Sequence, residues 1–390
     1  MSLPSILEND KLGDEAVLRN FLSRSLPGSF GEDAPDMSSM DCFVAVIRHI
    51  CSVVHGDLMQ FVAADHGLRF VLADFSAETE EKRSSVQEYR ISKFKHVERL
   101  VGKKNPTFED IIECDAVLKN FWAHDGLLLF QTLIHLDEPN ETWYHEADDR
   151  VFAAARSLVD WPLQKFDTIQ DVLDMTKSGT SPNSGGQEVL FTPGRPAVVR
   201  VRLASKVDRR TWQGSFSIRD AQCFSYNEIT RNTVWHPAEN VTTIRETVSR
   251  KPQDRLVYCL IAVVRLRNPG EHCDYARLYD LQSQNVLPLG DQRYFGTFNN
   301  DWWSLEHLTH NHMLYYARVD YTSVDCVRLY TECEDQSPDP QVVRRDEMVL
   351  DAAWQGGLAM HESRGSGAPD QSEVRDEYIA QSDWASHTLD

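Results

Sequence analysis

The sequence predicts an α+β protein with a helical N-terminal half, an antiparallel β C-terminal half and an acidic, disordered tail. Three observations carry that expectation. Apolar residues recur at helical spacing through much of the first 176 residues, whereas beyond a breaker-rich stretch at 178–186 they fall into β-branched runs with alternation. From Glu334 onward 13 Asp or Glu stand against 4 Arg, so the last 57 residues carry −9 of the chain's −20 and offer little to bury. The expected organisation is a lead-in over 1–30, a helical subdomain over 31–178, a linker over 179–186, a β subdomain over 187–333 and the tail over 334–390.

Residues 11–25 read as a short amphipathic helix through Val17, Leu18, Phe21 and Leu22, broken by Pro27 and Gly28. The next helix opens near Ser39 or Asp41, either of which can cap it, and lays Phe43, Ile47, Ile50, Cys51 and Val54 on one face with Cys42 in its first turn. There the helix dipole favours a thiolate and the neighbouring Asp41 opposes it. Residues 68–75 read as a strand or buried segment, and residues 80–100 as a mostly exposed helix with Tyr89, Phe94 and Val97 at wide spacing. Lys93, Lys95, Lys103 and Lys104 form the notable basic cluster of this half, read as a solvated face.

Thr107 followed by Asp110 resembles a capping box and introduces a helix toward Gly126. The apolar run at 127–134 continues as helix or strand, and further helices are expected at 143–158 and 168–176. Beyond the linker, strands are expected at 199–203, at 256–266 as a central strand, at 275–279, at 313–319 and at 326–330.

Composition narrows the function classes. With 41% hydrophobic and 26% charged residues the chain is an ordinary globular one, and its −20 charge disfavours nucleic acid and anionic membrane as partners. Eight scattered cysteines suit reduced thiols, and with no secretory signal or long apolar run the expected location is intracellular, cytoplasmic or nuclear. No cofactor is expected. His307, His310 and His312 have the ligand chemistry for a metal, but no single helix or strand aligns all three, so they read as a surface loop and no metal is expected. Phe298, Trp302 and Trp303 read as core closure or the wall of a groove.

A helix-start cysteine in an α-rich half, followed by a histidine in a β-rich half, is the arrangement of papain-like cysteine peptidases. Asp41-Cys42-Phe43-Val44 resembles the cysteine box of the ubiquitin-specific proteases, in which Asn-Thr-Cys-Tyr/Phe opens a helix. The run from Leu256 through Arg265, then Gly270-Glu271-His272-Cys273-Asp274-Tyr275-Ala276, is similar to that family's histidine box, a strand followed by Gly-His-Tyr-x-Ala-Tyr. His312-Met313-Leu314-Tyr315-Tyr316 is similar to its closing strand. The resemblance implies a thiol hydrolase acting on or binding ubiquitin-like conjugates, with ubiquitin or a ubiquitin-like protein as partner. It assigns Cys42 as nucleophile, His272 as general base and one of Asp280, Asn300 or Asp301 as orienting residue, with Asp301 preferred and His236 the weaker substitute for the base. Met40 stands where the family places an oxyanion-hole asparagine, Asp41 replaces its threonine and Glu271 interrupts Gly-His-Tyr. Those departures imply a degenerate, inactive member, or a non-catalytic interaction module, as the alternative.

Overall fold

The computed structural model describes most of residues 37–319; residues 1–36, 282–302 and 320–390 and shorter stretches between lie outside the described residues. The expected helix at 11–25, the strand at 326–330, the tail and Asp301 therefore fall outside them, as does much of 168–176.

Helix α1, Ser38–Val53, is the axis of the helical layer. Its apolar residues lie on one face as the sequence suggests, yet every residue from Ser38 to Ser52 is buried. The polar face is covered too, because α1 packs against the strand Tyr275–Leu278 and the short helix at Phe108–Ile112, and against the 3-10 turn Arg69–Leu72. That turn corrects the strand alternative at 68–75. Arg48, on the polar side of α1, closes the contact by donating from Nε to the Val71 carbonyl at 2.5 Å and from Nη2 to that of Ala73, with its guanidinium 5.3 Å from the Phe75 ring centre. Burial pushes the Arg48 guanidinium down to about 9 against the opposing pull of Asp74.

After α2, Leu58–Ala64, helix α3 runs from Glu80 to Val101 with Val86, Tyr89, Phe94 and Val97 turned inward. One charged residue of α3 also turns inward: Arg90 pairs with Asp41 of α1, both buried. Asp41 thus ties two helices together and does not cap; the residue before α1 is Met37, which makes no side-chain cap bond. Thr107 and Asp110 form the anticipated capping box at α4, Phe108–Ile112, each side chain accepting from the other's backbone N–H. The chain beyond does not continue as one helix but breaks into the turns Asp115–Val117, Leu118–Trp122 and Asp125–Leu127.

The first half is not wholly helical. Strand β1, Phe130–Asp137, and β2, Thr142–His145, form a hairpin, and the helix expected at 143–158 is reduced to α5, Arg150–Arg156, followed by β3, Leu158–Pro162. The stretch expected as a linker contains β4, Gly179–Pro182, antiparallel to β5, Glu188–Pro193, in a four-stranded sheet of order β2-β1-β5-β4.

The main sheet has six strands. Its centre is β10, Arg255–Arg265, paired on one edge with β12, His312–Val319, and on the other with β7, Cys223–Asn227, along residues 255–259 and with β11, Tyr275–Leu278, along residues 262–265. Beyond β12 come β6, Val198–Ala204, and β3. The β3–β6 pair is parallel and the others antiparallel, so the sheet is mixed where a purely antiparallel one was expected. Side chains from Tyr258 to Val264 are buried on both faces, which is why this strand is apolar without alternation. A separate hairpin joins β8, Ile229–His236, to β9, Val241–Val248. The two halves share one core: α1 residues Phe43 and Ile47 belong to the same buried cluster as Tyr258, Ala276 and Tyr315 of the sheet.

Arg200 of β6 supports this junction from inside. It pairs with Glu113 at 2.7 Å, donates to the Ala154 carbonyl and lies 4.3 Å from the Trp122 ring centre. Burial dominates both partners, holding the Glu113 carboxyl above its usual range despite Arg200 and pushing the Arg200 guanidinium down despite Glu113. The pair is therefore expensive to desolvate, and its value is positional.

Candidate functional site

The α1 N-terminus meets the β10–β11 loop, the junction at which the sequence places its two reactive groups. Helix α1 begins four residues before Cys42, so the thiol lies in the second turn, where the dipole's effect on a charge has largely faded. Cys42 has no exposed surface and sits within electrostatic reach of the Tyr315 phenol, whose acidity is suppressed mainly by burial. A thiol so enclosed is packed as a small hydrophobe. Met40 is equally enclosed, and its burial removes it from any position facing a substrate oxygen. Burial also pushes the second α1 thiol, Cys51, up to about 12 despite nearby Arg48, leaving it protonated at neutral pH.

His272 is exposed, in the β10–β11 loop. Its carbonyl accepts from Arg267 Nη1 at 3.0 Å, and Arg267 Nη2 donates to the Asn105 carbonyl at 2.7 Å, so the loop is held against the α3–α4 connection by its backbone. Gly270 supplies the turn with φ +91, a conformation that favours glycine. Glu271 locks the turn: it accepts from the Asn268 N–H at 3.0 Å, pairs with Arg265 at 3.0 Å and meets His310 Nε2 at 2.8 Å. The structure thus places Cys42 inside and His272 outside. Asp280 is described just beyond β11, while Asn300 and Asp301 lie outside the described residues.

Ser38 and Asp274 are what the junction brings together. The Asp274 N–H donates to Ser38 Oγ at 3.0 Å, joining residues 236 positions apart. The Asp274 carboxylate accepts from the Phe108 N–H at 3.1 Å and from the Arg267 N–H at 2.9 Å, with Arg267 Nε 4.0 Å away. Asp274 has no exposed surface and Ser38 is 4% exposed. One residue therefore fastens the first turn of α1, the first turn of α4 and the loop before β11 to one another. Asp274 lies inside the histidine-box stretch and Ser38 just before the expected start of the cysteine helix, but an Asp near a His and a Ser near a Cys carry no signal of pairing until the chain is folded.

The histidine cluster also divides. His310 belongs to the Arg265–Glu271 group, whereas His312 is buried beside Trp303, their ring centres 6.1 Å apart. Burial, reinforced by His310 and Arg265, pushes the His312 imidazole down to about 3. Among the described residues no group of three or more His, Cys, Asp or Glu is arranged to hold a metal ion, and no helix is long and apolar enough to cross a membrane.

No protein-family model and no curated protein matches this chain. Among solved structures it is similar, at 10% identity and a TM-score of 0.31, to the Saccharomyces cerevisiae Pan2 pseudoubiquitin hydrolase–RNA exonuclease module in complex with AAGGA RNA, over 82% of this chain and 56% of that one. The chain thus spans little more than half of that structure's length. It is also similar to the Saccharomyces cerevisiae PAN2 pseudoubiquitin-hydrolase, at 10% identity and TM-score 0.28 over 76% of this chain and 89% of that chain. A third similarity is to the SAGA Ubp8/Sgf11/Sus1/Sgf73 DUB module, at 10% identity and TM-score 0.29 over 77% and 69% respectively. Likenesses this loose assign no role to any residue here.

Proposed function

We propose that this chain is a non-catalytic protein-binding module whose partner is ubiquitin or a ubiquitin-like protein, and that its α1–β11 junction is a structural joint where a hydrolase would carry a reactive pair. The carrying observation is the buried contact between Ser38 and Asp274. Acyl transfer requires an accessible nucleophile in hydrogen-bond reach of a base, and the burial of the Cys42 thiol, together with the exposure of His272, supports the reading without turnover. In the Gly-His-Tyr pattern that the loop resembles, the base directly precedes a tyrosine; here the residue before Tyr275 is Asp274. Its carboxylate is engaged by the backbone N–H groups of Phe108 and Arg267. This favours the interaction-module reading over the hydrolase reading.

The choice of partner rests on the sequence resemblance of the three boxes. Immobilised ubiquitin and its common relatives, offered to the full chain, should retain it, and a ubiquitin-derived thiol electrophile should leave its mass unchanged. Failure to bind any ubiquitin-like protein would remove the partner assignment, and covalent capture at Cys42 would remove the non-catalytic one.

A further inference from the structure

The C-terminal end of α3 carries a charge opposite to that of the protein as a whole. Between residues 93 and 104 five Lys or Arg stand against the single acid Glu98, a local +4 in a chain of net −20. The fold assembles Lys95, Arg99, Lys103 and Lys104 around a broad, shallow groove of about 810 Å³, all four exposed. Ile91 contributes an apolar floor, and the acids of the lining are Glu88 and Glu98. Glu98 is directed back to the chain by accepting from the Asn105 N–H at 3.0 Å. Lys103 pairs with Asp110 at 2.6 Å, with 54% of its side chain still exposed. Lys95 and Arg99 are one helical turn apart on α3, and Arg99 Nε donates to the Lys95 carbonyl at 3.2 Å.

We propose that this groove is the docking site for the chain's own acidic tail, through residues 370–383. That segment contains Asp370, Glu373, Asp376, Glu377 and Asp383 against Arg375, a net −4, with Val374, Tyr378 and Ile379 among them to cover Ile91 and the aliphatic stems of the lysines. The described chain stops at Val319, leaving 50 residues before Asp370. Fifty residues, at the dimensions of an unstructured polymer, span about 40 Å end to end, enough to reach across a domain of this size. Tethering gives the tail an effective concentration on the order of millimolar, so a contact too weak to form between separate molecules can form within one. A separate polyanion must instead approach against the −20 field of the whole protein. This inference is independent of what the module binds and of whether it is catalytic.

Zero-length carbodiimide coupling of the full chain, followed by peptide mass spectrometry, tests the assignment because it joins only carboxylates and amines in contact. Coupling is expected within monomers, from Lys95 or Lys104 to Glu373, Asp376 or Glu377. Its yield should fall about tenfold in about 1 M salt, where the Debye length is about 3 Å. A Lys95→Glu, Arg99→Glu, Lys104→Glu variant should lose it, and so should Glu373→Gln, Asp376→Asn, Glu377→Gln, which changes none of the groove residues. Three results overturn the proposal: coupling only between molecules, tail coupling directed to lysines elsewhere, or no tail coupling at the groove. Protection of Lys95 and Lys104 by an RNA oligonucleotide with tail coupling absent counts as the last of these and reassigns the groove to nucleic acid.

Discussion

Replacing Asp274 by Ala should cost far more than the loss of one surface carboxylate. The side chain is completely buried and accepts from the backbone N–H groups of Phe108 at 3.1 Å and Arg267 at 2.9 Å. Removing it strands both donors at a joint between α4 and the β10–β11 loop. A buried donor left unpaired costs about 1–3 kcal/mol, so the pair gives a loss of about 4 kcal/mol, with a shift in melting temperature of roughly 10 °C for a domain of this size. Asp274→Asn keeps one acceptor oxygen and should cost about half as much. Urea unfolding followed by circular dichroism measures this as a lowered midpoint at unchanged slope, and hydrogen exchange should quicken first at the amides of Phe108 and Arg267. A loss below about 1 kcal/mol for the Ala variant would refute the assignment of Asp274 as the fastening residue.

Two further outcomes are expected. Arg90→Met should destabilise by about 3–5 kcal/mol because it removes the Arg90 cation from the buried Asp41 carboxylate, whereas Asp41→Leu combined with Arg90→Met should recover much of that loss in a double-mutant cycle of urea midpoints. Stability should also fall in mild acid through His312. Its folded value of about 3 lies below the ordinary 6.5, so between those values the unfolded chain binds the extra proton. That contribution is complete above pH 6.5 and is lost toward pH 3 at up to about 1.4 kcal/mol per pH unit. Unfolding midpoints measured across that window should show a shallower pH slope for His312→Gln, and an unchanged slope would exclude His312 as its source.

The elements legible in the sequence were those whose signal is local. The apolar run at 256–266 announced a central strand because both faces of β10 are covered, and Thr107 with Asp110 announced the start of α4 because a capping box spans four residues. Arg90 shows the limit: a single Arg in a charge-rich helix reads as solvated, and only the approach of α1 turns it inward. Gly179–Pro182 has the composition of a loop yet pairs with β5, since a neighbouring strand can impose extended backbone on small polar residues. The site was legible as a region and not as residues. Choosing Cys42 and His272 by their intrinsic reactivity passed over Ser38 and Asp274, whose contact is set by the packing of α1 against β11 and joins residues far apart in the sequence.

The central claim is that the chain binds without turning over, and intact-mass measurement after exposure to a ubiquitin-derived thiol electrophile, paired with a binding isotherm for ubiquitin on the same sample, tests it most directly. The account predicts saturable binding with no added mass and with Cys42 recovered as a free thiol; a stoichiometric adduct on Cys42 would contradict it.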